Sequence, residues 1–215
     1  MPRFTGDDLT CIRGERIVFS GLSFALAAGN ALVLSGPNGS GKSSLLRLMA
    51  GLLPPAAGRL AWDGEAIAED PESHHGRLHY VGHLDAVKPA LTVAENLAFW
   101  AALHQGADAT SHALDQALAV FAMDRLATLP ARYLSAGQRR RLSLARIIAA
   151  PAAVWLLDEP GTALDTQSTT HLEAAIAEHQ NGGGIVVLAT HAPLAVADAQ
   201  EIKLGEFADG GGGAW

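Results

Sequence analysis

Gly36-Pro37-Asn38-Gly39-Ser40-Gly41-Lys42-Ser43 satisfies the pattern G-x-x-x-x-G-K-[ST] at every fixed position. Glycines let backbone N–H groups turn inward around an anion. A helix beginning behind them points its partial positive end at the same place. Lys42 adds a full positive charge for the β and γ groups of a nucleoside triphosphate, and Ser43 offers a hydroxyl to Mg²⁺. The flanks supply the required context. Ala31-Leu32-Val33-Leu34 predicts a buried strand, and Ser44-Leu45-Leu46-Arg47-Leu48-Met49-Ala50 predicts a helix. The predicted triphosphate cradle therefore runs from Gly36 through Ser44.

The bulk composition is compatible with one such domain. The chain has 215 residues, 49% hydrophobic and 17% charged, which is globular rather than disordered. Its formal net charge of −7 argues against nucleic acid as the main partner. A single cysteine, Cys11, excludes an intrachain disulfide framework and is expected to be inert packing. The N-terminal Met1 to Asp8 turns acidic where a signal peptide needs an apolar segment. No run reaches the roughly 18–20 apolar residues that span a bilayer. The chain is thus expected to be soluble by itself, with any membrane role passing through a partner.

Strand and helix signals alternate along the chain. Ile17 to Ala28, closed by Gly29-Asn30, predicts an antiparallel strand and turn, and Gly58 to Gly64 another. His79 to Gly82 predicts a further strand. Thr92-Val93-Ala94-Glu95 is a capping-box pattern opening a helix with Leu97, Trp100, Ala101 and Leu103 at helical spacing. Ser111 to Phe121 and Ala136 to Ala149 predict two more helices, the second ended by Pro151. Buried strands follow at Ala152–Leu157 and Ile185–Ala189, with a helix over Thr169–His179 between them. That alternation implies a right-handed parallel α/β core. The segment Glu69 to Gly76, with His74-His75, predicts a solvated polar loop binding neither haem nor metal. The run Gly210 to Gly213 is expected to fray.

Beyond the phosphate loop, carboxylates stand where hydrolysis needs them. Asp158 ends a strand and is placed to hold Mg²⁺, with Glu159 next to orient or deprotonate the attacking water. His191 ends the following strand within reach of the γ-phosphate. Leu134-Ser135-Ala136-Gly137-Gln138 opens a helix whose start is a second anion site. It cannot serve the same phosphates from the same side, so a second chain is the simplest way to use it.

This set resembles the ATP-binding cassette (ABC) ATPases. Gly36–Ser43 resembles their Walker A loop, and Leu134–Gln138 their LSGGQ signature with Ala136 in place of the first glycine. Val154–Asp158 resembles Walker B, Glu159 the catalytic glutamate, Ala163-Leu164-Asp165 the D-loop and His191 the switch histidine. The match covers about Leu9 to Gly205. It implies a P-loop NTPase of ABC type: a parallel-sheet core, an antiparallel β subdomain and a helical subdomain in one domain, 1–215. The core plus β subdomain would span about 1–84 and 151–215, and the helical subdomain about 85–150. It also implies ATP and Mg²⁺ as ligands, with Ser43 and Asp158 on the metal. The functional unit would be a head-to-tail homodimer sandwiching two ATP between Walker A of one subunit and the signature of the other.

Two departures narrow the resemblance. Where the family often stacks an aromatic residue on adenine, this chain has Arg13, whose guanidinium plane also stacks on a base. Where the Q-loop glutamine is expected, it has His83, whose neutral imidazole accepts from water or ligates a metal. The surrounding stretch Tyr80 to Trp100 resembles one branch of the family, the ATP-binding subunits of cytochrome c biogenesis haem exporters. That branch implies an integral-membrane permease partner (CcmB-like), other haem-handling membrane proteins, and a peripheral position on the cytoplasmic face of a bacterial inner membrane. Haem export, ATP-driven release of a haem chaperone, transport of another cargo and a non-transport ABC ATPase all stay open at this point. Within Arg139-Arg140-Arg141, Arg140 is expected on the surface or facing a second subunit, without nucleic acid. The pair Phe99-Trp100 is expected in the core rather than in contact with a partner; the alternative, a partner role for the exposed edge of its helix, is what the resemblance implies, since the family's helical region docks the membrane subunit.

Overall fold

Two sheets and two layers of helix build the molecule, and a computed structural model describes residues 3–105, 111–191 and 194–208. The glycine run at 210–213 lies outside the described residues. The first sheet is antiparallel, ordered β2-β1-β4-β5, from β1 (Arg3–Arg13), β2 (Arg16–Ala27), β4 (Ala57–Trp62) and β5 (Glu65–Ala66). The second is wholly parallel, ordered β6-β7-β8-β3-β9, from β3 (Ala31–Ser35), β6 (Leu78–Val81), β7 (Val154–Asp158), β8 (Ile185–Ala189) and β9 (Ala199–Lys203).

The parallel strands β7 and β8 are buried at every position, as their unbroken apolar runs require. Their side chains alternate between two cores. Leu156, Val187 and Ala189 join Phe4, Phe19, Leu22, Leu60 and Trp62 of the antiparallel sheet and Leu45, Leu46 and Leu48 of α1 (Lys42–Met49). Trp155, Leu157, Val186 and Leu188 face the other way. They pack with α3 (Val93–Gln105), α4 (Ser111–Val120), α5 (Ala136–Ala149) and α6 (Thr166–Asn181). The capping box at Thr92 forms: Thr92 N–H donates to Glu95 Oε2 at 2.8 Å and Glu95 N–H to Thr92 Oγ1 at 3.2 Å.

Several expectations need correction. The segment expected as a solvated loop carries a short helix, α2 (Pro71–Gly76), capped by Asp70. His74 on it is 1% exposed. Its Nδ1 accepts from Trp62 Nε1 at 3.1 Å and its Nε2 lies 2.9 Å from Met49 O, which fixes the neutral tautomer with the proton on Nε2. Burial pulls its pKa below the ordinary imidazole value. Arg140 is buried, for reasons given below. Leu103 points outward at 67% exposure. Of the aromatic pair expected in the core, Phe99 is exposed beneath Lys88, while Trp100 is half-buried, donates to Ala86 O and faces Arg146. The solvated edge of α3 therefore carries more apolar surface than its spacing suggested.

Candidate functional site

Four neighbouring parallel strands end on the same edge of the sheet, and a candidate residue follows each. The order β6-β7-β8-β3 sets His83, Asp158-Glu159, His191 and the Gly36–Ser43 loop side by side. The register makes the ends flush, with Asp158 opposite Ala189 and Ala189 opposite Leu34. Residues more than a hundred positions apart converge because ligands of open parallel sheets gather at the carboxyl ends of strands.

The loop is built around a backbone turn that only glycine tolerates at its end. Gly41 precedes α1 with φ 104°, and a Cβ there would lie 2.6 Å from Val18 Cγ1. No side chain caps the first turn of α1, so its N–H groups face the loop free of a side-chain acceptor. Lys42, 7% exposed, folds back over the loop. Its ammonium donates to Gly36 O at 2.7 Å and Pro37 O at 3.2 Å, and sits 3.0 Å from His191 Nε2. An ammonium has three donors and no acceptor, so His191 Nε2 is the acceptor and the ring proton sits on Nδ1. The same Nε2 is 3.5 Å from Glu159 Oε1, the longer contact, and Lys42 supplies the positive charge that makes this proximity tolerable. Glu159 Oε2 accepts from the His191 backbone N–H at 3.3 Å.

Ser43 Oγ donates to Asp158 Oδ1 at 3.1 Å, and Asp158 Oδ2 is buried without a hydrogen-bond partner. An orphaned carboxylate oxygen beside a hydroxyl is a donor set for a hard cation. Among the described residues no cluster of three or more His, Cys, Asp or Glu is placed to hold a metal. Two protein oxygens fit Mg²⁺, which takes the rest of its shell from phosphates and water. Glu159 stands with φ 48°, a left-handed conformation that costs a non-glycine residue roughly 1–2 kcal/mol. Its N–H donates to Ala189 O at 2.8 Å.

These groups line a cleft of about 760 Å³ whose wall includes Asn38, Gly39, Lys42, Ser43, Ser44 and His83. Arg13 stands on its rim with Arg16, which sequence reasoning passed over, as it did Gly161 and Thr162. Ser40 Oγ is buried without a partner inside the loop. Leu134, Ser135, Ala136, Gly137 and Gln138 are not brought to this cleft. They form a closed cap at the start of α5. Ser135 Oγ accepts from Gln138 N–H at 3.2 Å, while Gln138 Oε1 accepts from Ser135 N–H at 2.8 Å. Gly137 is set by close approach, since a Cβ there would lie 2.7 Å from Ala163 O.

Arg140 is the residue the sequence placed wrongly. At 4% exposure it runs from α5 beneath the cleft and donates to backbone carbonyls of Gly82, Asp158, Glu159 and Pro160. Burial lowers its pKa and Asp85 raises it in opposition. The run of three arginines was visible in the sequence; which one turns inward was not.

A second and larger groove, of about 1,100 Å³, lies against β6 and α3. Leu84, Trp100, Leu103, His104 and Arg146 line it, and His83 lines both it and the cleft. Among the described residues no helix is long and apolar enough to cross a membrane.

Comparison with known proteins agrees with this geometry. A family model described as "ABC transporter" matches residues 19–162. The chain is 60% identical over 206 residues to the cytochrome c biogenesis ATP-binding export protein CcmA of Paramagnetospirillum magneticum, covering 95% of each. It is 60% identical over 205 residues to the protein of the same name from Rhodospirillum rubrum, covering 95% of this chain and 87% of that one. A putative ABC transporter ATP-binding protein from Pyrococcus furiosus shares the fold, with a TM-score of 0.83 at 24% identity over 96% of this chain and 99% of that one. A bacterial Atm1-family ABC exporter with ATP bound superposes with a TM-score of 0.82 at 25% identity, over 95% of this chain and 37% of the exporter.

Proposed function

We infer the workings of the cleft from one premise: the chain belongs to the ABC transporter family, as a CcmA-like ATP-binding and ATP-hydrolysing subunit related to cytochrome c biogenesis. The observation that carries the reading is the convergence of Lys42, Ser43, Asp158, Glu159 and His191 from three adjacent strand ends. Lys42 and the open N-terminus of α1 bind the β and γ phosphates, and Lys42 must first leave at least one of its present acceptors. Ser43 and Asp158 would hold Mg²⁺, which when bound would neutralise phosphate charge. Glu159 takes a proton from water as the water oxygen bonds to the γ-phosphorus and the bond to the bridging oxygen breaks, releasing ADP and phosphate. His191, linked to both Lys42 and Glu159, orients the γ-phosphate and the carboxylate together. Arg13 stacks on the base.

The signature Leu134–Gln138 lies outside the cleft and serves the nucleotide of a second subunit in a head-to-tail homodimer. The membrane partner is a CcmB-like permease that seats on the groove beside β6. Exposed Leu84 and Leu103 support that placement, at 82% and 67%. His83, on the wall between groove and cleft, links the seat to the water site. The chain then lies on the cytoplasmic face of the inner membrane. Its ATP cycle drives haem export or the release of a haem-carrying chaperone.

Affinity purification of a Glu159→Gln variant from gently solubilised membranes with ATP and Mg²⁺ tests this assembly. Recovery of a haem-handling membrane complex supports it. Recovery of an unrelated permease retains the ATPase and removes haem.

A further inference from the structure

Arg140 makes a set of contacts that packing alone does not require. Its guanidinium has five N–H donors in a rigid fork, and the structure supplies five acceptors. Nη2 donates to Asp158 O and Glu159 O, each at 2.7 Å. Nη1 donates to Gly82 O at 2.9 Å and meets Asp85 Oδ1 at 3.4 Å, and Nε donates to Pro160 O at 3.3 Å. Three of the four carbonyls, those of Gly82, Glu159 and Pro160, belong to chain leaving the ends of β6 and β7, and the fourth, that of Asp158, is the last of β7. Burying a guanidinium is unfavourable unless such bonds replace its water, and an apolar residue in its place would leave the four carbonyls without this donor.

The contacted loops are those that present Glu159 and His83 to the cleft. Glu159 is held on its amide side by Ala189 O and on its carbonyl side by Arg140, across a left-handed backbone. Arg140 also lies three residues beyond Gly137 on α5, whose first turn touches Ala163 of the same stretch. One helix thus grips both loops from below.

We propose that Arg140 is a positioning residue for hydrolysis, holding the Glu159 backbone and the Gly82–His83 turn at a fixed separation from the start of α5. The proposal rests on Glu159 being the group that takes the proton from water.

The test is a double-mutant cycle on the full chain, assayed with the membrane subunit that co-purifies with it. Arg140→Gln and Arg140→Lys are each placed in the native and the Glu159→Gln background. Single-turnover hydrolysis, binding of a fluorescent ATP analogue and the thermal midpoint are measured. Arg140→Gln should slow hydrolysis roughly 10–100-fold, the penalty for a group displaced by about 1 Å. Nucleotide affinity should stay within about threefold, and Arg140→Lys should recover part of the rate. In the Glu159→Gln background the same change should cost less than about threefold, because the group it acts through is gone. An equal loss in both backgrounds, or a loss that follows affinity or thermal midpoint, overturns the proposal. If Arg140→Gln does not fold, Arg140→Lys carries the same comparison with the charge beside Asp85 retained. Full turnover in Glu159→Gln alone sinks the reading of Glu159 instead, and is recognised without any Arg140 variant.

Discussion

The starts of α1 and α5 look alike in sequence and differ in the structure. Both begin at a small residue, Gly41 or Ser135, and both suggest a helix N-terminus open to an anion. At α1 the cap is Gly41, no side chain closes the first turn, and Lys42 stands beside the open N–H groups. At α5 the cap is Ser135, and Ser135 and Gln138 satisfy each other's backbone. The first start is left open by its own chain. The second is closed at Ser135 and Gln138 by its own capping box.

The ends of the same helices are alike. His74 Nε2 meets Met49 O at the end of α1, and His79 Nε2 meets Ala150 O just past α5 at 2.7 Å. Both rings are buried, and burial lowers both pKa values, that of His79 to about 3. Burial also depresses His179, stacked on Trp155 at 3.9 Å, to about 4.

The contrast breaks most readily at Lys42. Lys42→Ala should abolish ATP binding by the isolated chain, measured by equilibrium binding, while Ser135→Ala should leave that binding intact. Loss in both would erase the distinction between the two helix starts. Next in size, Glu159→Gln should keep nucleotide binding and lower hydrolysis by roughly 10²–10⁴-fold; phosphate release under single turnover reads this directly.

The resemblance at the helix ends is sharpened by acid. A histidine with a depressed folded pKa contributes stability that is complete above its unfolded value near 6.5. It is lost as pH falls from there toward the folded value. Urea midpoints should therefore drop as pH falls from about 6.5 to 5, before the carboxylates titrate. His79→Gln should flatten that slope by up to about 1.4 kcal/mol per pH unit, and an unchanged slope would show that His79 does not stay neutral. Smallest of all, Ser135→Ala should cost about 1 kcal/mol of stability through the lost cap, and it should weaken any ATP-dependent dimer seen by light scattering.

Much of the molecule was legible because its signals are local. The phosphate loop, the capping box at Thr92 and the apolar runs of β7 and β8 each depend on a few neighbouring residues. Polar β9 at the sheet edge carried no such signal. Neither did α2, whose His74 looks like loop polarity until Trp62 and Met49 close around it. At the site, each residue type was visible in isolation, but neither Arg16 on the rim nor the inward turn of Arg140 was.

The sequence alone determined that a glycine-rich loop ending in Lys42 sits between a buried strand and a helix, since glycine conformation, lysine charge and apolar periodicity act over a few residues. It likewise determined that Asp158 ends a strand and that Glu159 and His191 lie just past strand ends. Only the tertiary structure decided that those strands are neighbours, that Lys42 rests against His191, and that Arg140 alone of its run is buried beneath them. Strand order and burial are set by how distant segments pack, and no short stretch of chain contains that information.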